Sequence, residues 1–373
     1  MTSPGLTQRI TECRQVIITF IIAYACGWLC LLLNMPAPYL LGSLFGVWFS
    51  GSLVKPLQPH LGVARWVHIP VVLGLGVLIG VNFTPDVLGQ IGQWTVTLTA
   101  MIVTTAVVAP IIYSWLLRRP GYDPVLAFLC ATPGGQAECI VLAREYVEKD
   151  YVVALFHLVR VAAVFVSTPL LLAMIEGQDA VLRSNVVLET MPAMSALPAG
   201  ELLMFAGVAV IGYGLAVMLR LPMPHLLGPM GLSMAVHMTG MMTLPRISEF
   251  VLLAQLTIGG GVGARLARVS ITEVIKVLGD AFQVTAFIIA AYLGAAFLMA
   301  AVSGENFLRL WLAFVPGGLY EVTLLALLFG FDVAFVAFHH TVRVVMIFLA
   351  LPALAFRLDR KVKAGAVNPE PEG

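Results

Sequence analysis

Pro133-Gly134-Gly135-Gln136-Ala137-Glu138 stands between two apolar stretches, and the same frame returns as Pro316-Gly317-Gly318-Leu319-Tyr320-Glu321. The offset of 183 residues (316 − 133) also separates His157-Leu158-Val159-Arg160 from His340-Thr341-Val342-Arg343, and Pro169 from Pro352. Nearer the start of each block, Pro36-Ala37-Pro38-Tyr39-Leu40-Leu41-Gly42 matches Pro222-Met223-Pro224-His225-Leu226-Leu227-Gly228 at an offset of 186 (222 − 36), so one short insertion or deletion intervenes. Apolar sequences share Leu and Val by chance. They do not by chance align Pro, Gly, Glu, His and Arg in one order, so the chain is a tandem duplication.

Working outward from these frames, 60% of the 373 residues are hydrophobic and only 11% charged, which excludes an ordinary soluble domain. Apolar runs such as 16–33 and 94–117 are long enough to cross a hydrocarbon core of ~30 Å. Backbone amides in lipid must be satisfied within the segment, and the runs lack the alternation of barrel strands, so they are expected to be helices. The expected fold class is an all-α polytopic integral membrane protein with about ten transmembrane helices in two inverted repeats, each repeat carrying one broken or re-entrant segment. The expected spans are 15–33, 39–54, 66–81, 94–117 and 151–174, then 200–219, 225–242, 249–263, 281–302 and 332–356. This divides the chain into a cytoplasmic N-terminus (1–14), a first membrane repeat (15–174), a linker (175–199), a second repeat (200–356) and a cytoplasmic tail (357–373).

Charge selects the topology. With both broken segments re-entrant, sixteen Lys and Arg face the cytoplasm and three (Arg183, Arg246 and Arg309) face outward. With both crossing fully, the copies become parallel and the division falls to thirteen against six. The positive-inside rule favours the first arrangement, with odd-numbered spans per copy, inverted copies and both termini in the cytoplasm of a bacterial inner membrane.

Pro-Gly-Gly removes a backbone donor and releases the chain from helical geometry, which hydrocarbon forbids unless protein or water meets the exposed amides. Matched breaks in two repeats point to a midplane site. Pro133, Gly134, Gly135, Pro316, Gly317 and Gly318 are therefore candidate substrate- or ion-binding residues, with a packing kink as the alternative. Glu138 and Glu321 fall in the first turn after each break, where a carboxylate can cap free amides or take a proton, a sodium ion or a substrate contact. Arg160 and Arg343 are the basic residues deep inside predicted spans, and His157 and His340 lie three residues before them on the same helix face. Each Arg can hold an anionic solute through its planar fork, or pair with Glu138 and Glu321 as a buried pin.

The Gly76 and Gly80 pair recurs as Gly259 and Gly263, a spacing suited to close helix packing. The five cysteines show no C-x-x-C pair, and the seven histidines make no H-E-x-x-H or Cys-His constellation. No metal, no cofactor and no catalytic residue is expected, and no Walker motif appears.

The pattern Pro-x-Pro-x-Leu-Leu-Gly, then Pro-Gly-Gly-x-x-Glu, then a helix with Arg before a terminal Pro, all twice over, resembles the AbrB family of duplicated bacterial inner-membrane proteins, across nearly the whole chain. Its members carry labels such as regulator or ammonia monooxygenase, and it shares only its name with a small DNA-binding transition-state regulator. The sequence itself supports an ion-coupled secondary transporter or exporter of a small polar, carboxylate-bearing solute. The second expectation is a membrane-embedded regulator or sensor of gene expression. A monooxygenase would need metal ligands that the sequence does not offer, so the chain is not expected to be an enzyme. The expected partners are a small-molecule solute and membrane lipid, with no nucleic acid, and a homo-oligomer is compatible with the sequence.

Overall fold

The computed structural model describes residues 6–240, 244–269 and 271–367. Residues 1–5 of the expected N-terminus, 241–242 of the expected span 225–242 and 368–373 of the expected tail lie outside the described residues. The described residues form fifteen α-helices and no strand. They are α1 (Leu6–Leu32), α2 (Pro38–Leu53), α3 (Arg65–Gly80), α4 (Pro85–Ile91), α5 (Thr95–Leu117), α6 (Pro124–Ala131), α7 (Gln136–Tyr146), α8 (Asp150–Val186), α9 (Ala199–Met218), α10 (Pro224–Met238), α11 (Ser248–Ala267), α12 (Ile271–Ser303), α13 (Phe307–Phe314), α14 (Leu319–Leu328) and α15 (Val333–Val367). Apart from α4, the first copy's helices α1, α2, α3, α5, α6, α7 and α8 have counterparts in α9 to α15. The protein is an all-α polytopic membrane protein.

Local chemistry repeats along with the helices. Asp123 caps α6, its Oδ1 accepting from Val125 N and Leu126 N at 2.9 Å, and 183 residues later Asn306 caps α13 through Leu308 N and Arg309 N at 2.9 and 3.0 Å. Ahead of α2 and α10, the residue between the two prolines adopts the left-handed conformation in both copies, Ala37 at φ 47° and Met223 at φ 45°. Such backbone costs a non-glycine residue ~1–2 kcal/mol, so its appearance at equivalent places marks a constraint inherited by both copies.

Among the described residues, seven helical runs are long and apolar enough to cross a membrane: Gln8–Leu32, Pro85–Leu117, Asp150–Val186, Ala199–Met218, Ser248–Ala267, Val277–Ser303 and Val333–Leu358. Three other segments expected as spans form helices of only 16, 16 and 15 residues, namely α2, α3 and α10. At 1.5 Å per residue these reach ~24 Å, short of the ~30 Å core. For α2 and α3 this is the length the sequence leads one to expect (39–54 and 66–81), whereas α10 stops at Met238, before the expected end at 242. Conversely, α8 runs beyond the expected 174, bending at Gly177 (φ 79°) and continuing to Val186. Its last turns bury Ala180, Val181 and Ser184, an i, i+1, i+4 face, and Asn185 Nδ2 donates to Met35 O at 3.3 Å.

The compact units do not coincide with the sequence copies. Among the described residues, one unit comprises 6–94, 165–269 and 320–337; the other comprises 95–164, 271–319 and 338–367. In the first unit α11 of the second copy packs on α2 of the first, while α3 of the first packs on α10 of the second. The paired glycines make these contacts. A Cβ on Gly259 or Gly263 would stand 2.5 Å from the carbonyl oxygen of Leu40 or Leu44, and one on Gly76 or Gly80 would stand 2.7 or 2.6 Å from that of Leu226 or Met230. Helix backbones touch directly at these positions, which is close packing through small residues. In the second unit α12 packs on α5 and α13, with Tyr292 Oη and Thr105 Oγ1 hydrogen-bonded at 2.8 Å.

Candidate functional site

Each Pro-Gly-Gly frame interrupts a helix, between α6 and α7 in the first copy and between α13 and α14 in the second. In both, the first glycine's amide turns back onto the residue before the proline, Gly134 N to Thr132 O at 3.0 Å and Gly317 N to Val315 O at 2.9 Å. The first break uses the freedom of glycine fully, with φ of 151° at Gly134 and 59° at Gly135. There is also no room for a side chain, since a Cβ on either would stand 2.7 Å from Ile347 of α15. Thus the second copy's α15 lies directly on the first copy's break.

Buried cations also donate to carbonyls at the ends of α6 and α13, Thr132 O and Val315 O thereby accepting a second hydrogen bond beside that of the glycine amide. Arg160 Nη1 donates to Thr132 O at 2.7 Å, and its Nη2 donates to His157 Nδ1 at 2.7 Å. Equivalently, Arg343 donates to Phe314 O at 2.8 Å, to Val315 O at 3.0 Å and to His340 Nδ1 at 3.0 Å, with Gly317 O at 3.5 Å. The opposite ring nitrogens complete the pattern, His157 Nε2 against Leu129 O at 3.1 Å and His340 Nε2 against Leu312 O at 2.9 Å. Because Nδ1 accepts from a guanidinium that cannot give up its proton, each imidazole is neutral and carries its hydrogen on Nε2. All four side chains are at most 3% exposed. A cation at a helix C-terminus satisfies orphan carbonyls and opposes the negative end of the dipole.

The sequence brought Arg160 together with Glu138 as a possible pair. The two share a compact unit, yet no ion pair joins them among the described residues. Glu138 lies over Gly135 in the first turn of α7, and its Oε2 is buried without a hydrogen-bond partner among the described residues. Glu321 occupies the same place on α14, is 3% exposed, and likewise has an unpartnered Oε2. The two glutamates belong to different compact units, since α14 from Tyr320 onward falls in the first. Their helices also differ. α14 is buried throughout except at Tyr320, whereas α7 exposes Val141, Arg144 and Glu145.

Within the first unit Glu321 lines a cavity of about 450 Å³, inside the ~300–1,000 Å³ range of small-molecule sites. Its rim carries Arg65 at the start of α3, Arg265 and Arg268 at the end of α11, and Glu12 near the start of α1. Deeper, His68 meets the Tyr320 ring edge-on at 6.2 Å, and Thr257 contributes a buried Oγ1 without a hydrogen-bond partner among the described residues. The sequence marks Glu321 but not its surroundings, because Arg65, Arg265 and Arg268 read as ordinary positive-inside charges at helix ends.

Comparison with known proteins agrees with the duplicated motif. The AbrB family profile, described as transition state regulatory protein AbrB, matches residues 44–358. The chain is similar to the protein named "Putative regulator AbrB" of Escherichia coli (strain K12), 27% identical over 332 residues, which cover 87% of this chain and 91% of that one. It is also similar to "Uncharacterized protein YhjN" of Bacillus subtilis (strain 168), 23% identical over 297 residues and 77% of each chain. With most of its length matched by the family profile, and with both breaks and both Arg-His pairs inside the matched region, the chain belongs to the AbrB family.

Proposed function

We propose that this protein is a secondary transporter of a small carboxylate-bearing solute, coupled to a proton or sodium ion. On this reading it resides in a bacterial inner membrane as two inverted repeats with cytoplasmic termini, and it carries rather than transforms its solute. The observation that supports transport most directly is the matched pair of broken helices. Each has its first half closed by a buried Arg-His clamp, and each opens its second half on a glutamate whose Oε2 is buried without a hydrogen-bond partner among the described residues. Irregular backbone at membrane depth is tolerated only where it is buried in protein or lines a polar cavity, and ionisable groups there mark solute and ion pathways. In this scheme the arginines hold the breaks open, and the glutamates meet the ion or solute.

Flux in proteoliposomes tests it. Reconstituted protein should move at least one labelled mono-, di- or tricarboxylate faster under an imposed proton or sodium gradient than without one, and Glu321→Gln should abolish the dependence on the gradient. No gradient-dependent movement across such a panel would end the proposal.

The names of the family and of its Escherichia coli relative favour a second reading, a membrane-embedded regulator that senses a ligand and signals to a partner. Deleting residues 357–373 separates the two: transport should survive, whereas a change in reporter expression with flux absent in both forms would favour signalling.

A further inference from the structure

Glu321 and Thr257, 3% and 1% exposed, line the same cavity of the first compact unit, and each holds a buried side-chain oxygen, Oε2 and Oγ1, without a hydrogen-bond partner among the described residues. Polar groups so deeply buried are normally satisfied. A ligand with its own polar end, entering this cavity, would satisfy both. The rim decides what kind of ligand. Arg65 and Arg265 have no carboxylate within 4 Å among the described residues, and Arg268 spends one N–H on Leu61 O at 2.5 Å while keeping its charge beside them. Against these three guanidiniums the lining sets only Glu12 and Glu321, leaving one net positive charge (3 − 2) when both carboxylates are ionised. With Glu321 protonated the excess is two (3 − 1), the charge of a dicarboxylate.

We infer that this cavity binds a small dicarboxylate, one carboxylate at Arg65 and Arg265 and the other against Thr257 and Glu321, and that Glu321 takes up a proton as the dianion enters. The chemistry requires that proton. An ionised Glu321 beside a bound carboxylate would place two like charges in a poorly solvated pocket, and one of such a pair is held protonated. Once protonated, Glu321 becomes an O–H donor to the ligand, as the Thr257 hydroxyl already is. The titratable and charged groups that share the cavity with Glu321 are His68 and Arg65 from α3, Arg265 and Arg268 from the end of α11, Glu12 from α1 and its neighbour Tyr320; of these Arg265 and Tyr320 act on Glu321 directly, and His225 of α10 lies within electrostatic reach of His68. In this set Glu12 sits at the rim, so Glu321 is the carboxylate that meets the ligand's inner end.

The inference rests on the transport reading for its purpose, though the site can be tested without flux. Full-length protein in nanodiscs is titrated calorimetrically with succinate in two buffers of different ionisation enthalpy, which reports both affinity and protons exchanged. Saturable binding with about one proton taken up per succinate is expected. Arg65→Gln and Arg265→Gln should each weaken binding roughly tenfold or more, with unfolding temperature unchanged. Glu321→Gln, which keeps the shape and a donor, should bind succinate without proton uptake, and Thr257→Val should weaken binding while leaving the proton count intact. Absence of binding by folded protein at millimolar succinate overturns the inference, as does binding of inorganic phosphate in place of succinate, unchanged affinity in both arginine variants, or proton uptake that persists in Glu321→Gln. Succinate binding with proton uptake but no flux in proteoliposomes would keep the site and retire transport. Gradient-driven flux together with unchanged affinity in the arginine variants would do the reverse.

Discussion

Arg160 donates to the carbonyl of Thr132 at 2.7 Å, closing the end of α6 with a charge that meets no carboxylate among the described residues. Its counterpart Arg343 does the same for Val315 at 3.0 Å. Two copies that have diverged elsewhere thus keep one solution for ending a half-helix inside the protein.

The first prediction concerns this clamp. Hydrogen bonds to charged groups contribute about 1.5–3 kcal/mol, and losing the arginine also takes from the buried Nδ1 of His157 or His340 the donor it accepts from. Arg160→Met and Arg343→Met should therefore each lower the unfolding temperature in detergent by several degrees, visible in size-exclusion profiles after heating. Arg160→Lys keeps the charge but cannot reach Thr132 O and His157 Nδ1 through one planar fork, so it should recover only part of the loss. An Arg160→Met protein as heat-stable as the parent would show that the clamp is dispensable.

Glycine at the first break carries a second prediction. Gly135 combines a φ of 59° with an imagined Cβ 2.7 Å from Ile347 Cγ2. Gly135→Ala should cost about 1–2 kcal/mol for the left-handed backbone alone, plus whatever Ile347 must yield. Combining it with Ile347→Ala should recover the steric part and leave the conformational part, so a double-mutant cycle should return a favourable coupling. Strict additivity of the two changes would deny that α15 rests on the break.

These two cases show what the sequence could and could not disclose. The breaks were legible because Pro-Gly-Gly has few uses in an apolar segment and occurs twice. The role of Arg160 and Arg343 was only half legible: their depth announced a buried charge, but its target is main-chain carbonyl, an acceptor every residue carries and no motif records. The cavity around Glu321 was not legible at all. Its rim comes from α1, α3 and α11, helices of both copies, and it forms only because the first compact unit mixes them. The lengths of α2 and α3 were legible, whereas α10 stops at Met238, before the expected 242, because hydropathy measures composition and not where a helix stops.

Cross-copy packing gives a third prediction. Gly263 faces Leu44 O and Gly80 faces Met230 O at distances that admit no side chain, and in both cases the obstacle is backbone, which cannot rotate away. Gly263→Ala or Gly80→Ala should part α11 from α2 or α3 from α10 and destabilise by about 1–3 kcal/mol, in the range of overpacked cores. Gly200 on α9 has open space around its Cβ position, so Gly200→Ala should be neutral or slightly stabilising in the same heating assay. Equal tolerance at all three positions would mean that these helices do not meet as described.

The last prediction decides how the two copies are oriented. Under the inverted arrangement Arg65 and Lys149 face the cytoplasm while Arg183 and Arg246 face outward; if both broken segments instead crossed fully, Lys149 would move outside and Arg183 and Arg246 inside, with Arg65 unchanged. Single cysteines at the four positions, in a protein whose five native cysteines are replaced by alanine or serine, can be probed in intact cells with a maleimide that does not cross membranes. Arg183→Cys and Arg246→Cys should label from outside, whereas Arg65→Cys and Lys149→Cys should label only after the cells are opened. Arg65→Cys serves as the internal control because both arrangements place it inside. Labelling of Lys149→Cys in intact cells, with protection of Arg246→Cys, would make the copies parallel. The matched glutamates would then enter the membrane from the same side, and a site alternating between two mirrored halves could not be built from them.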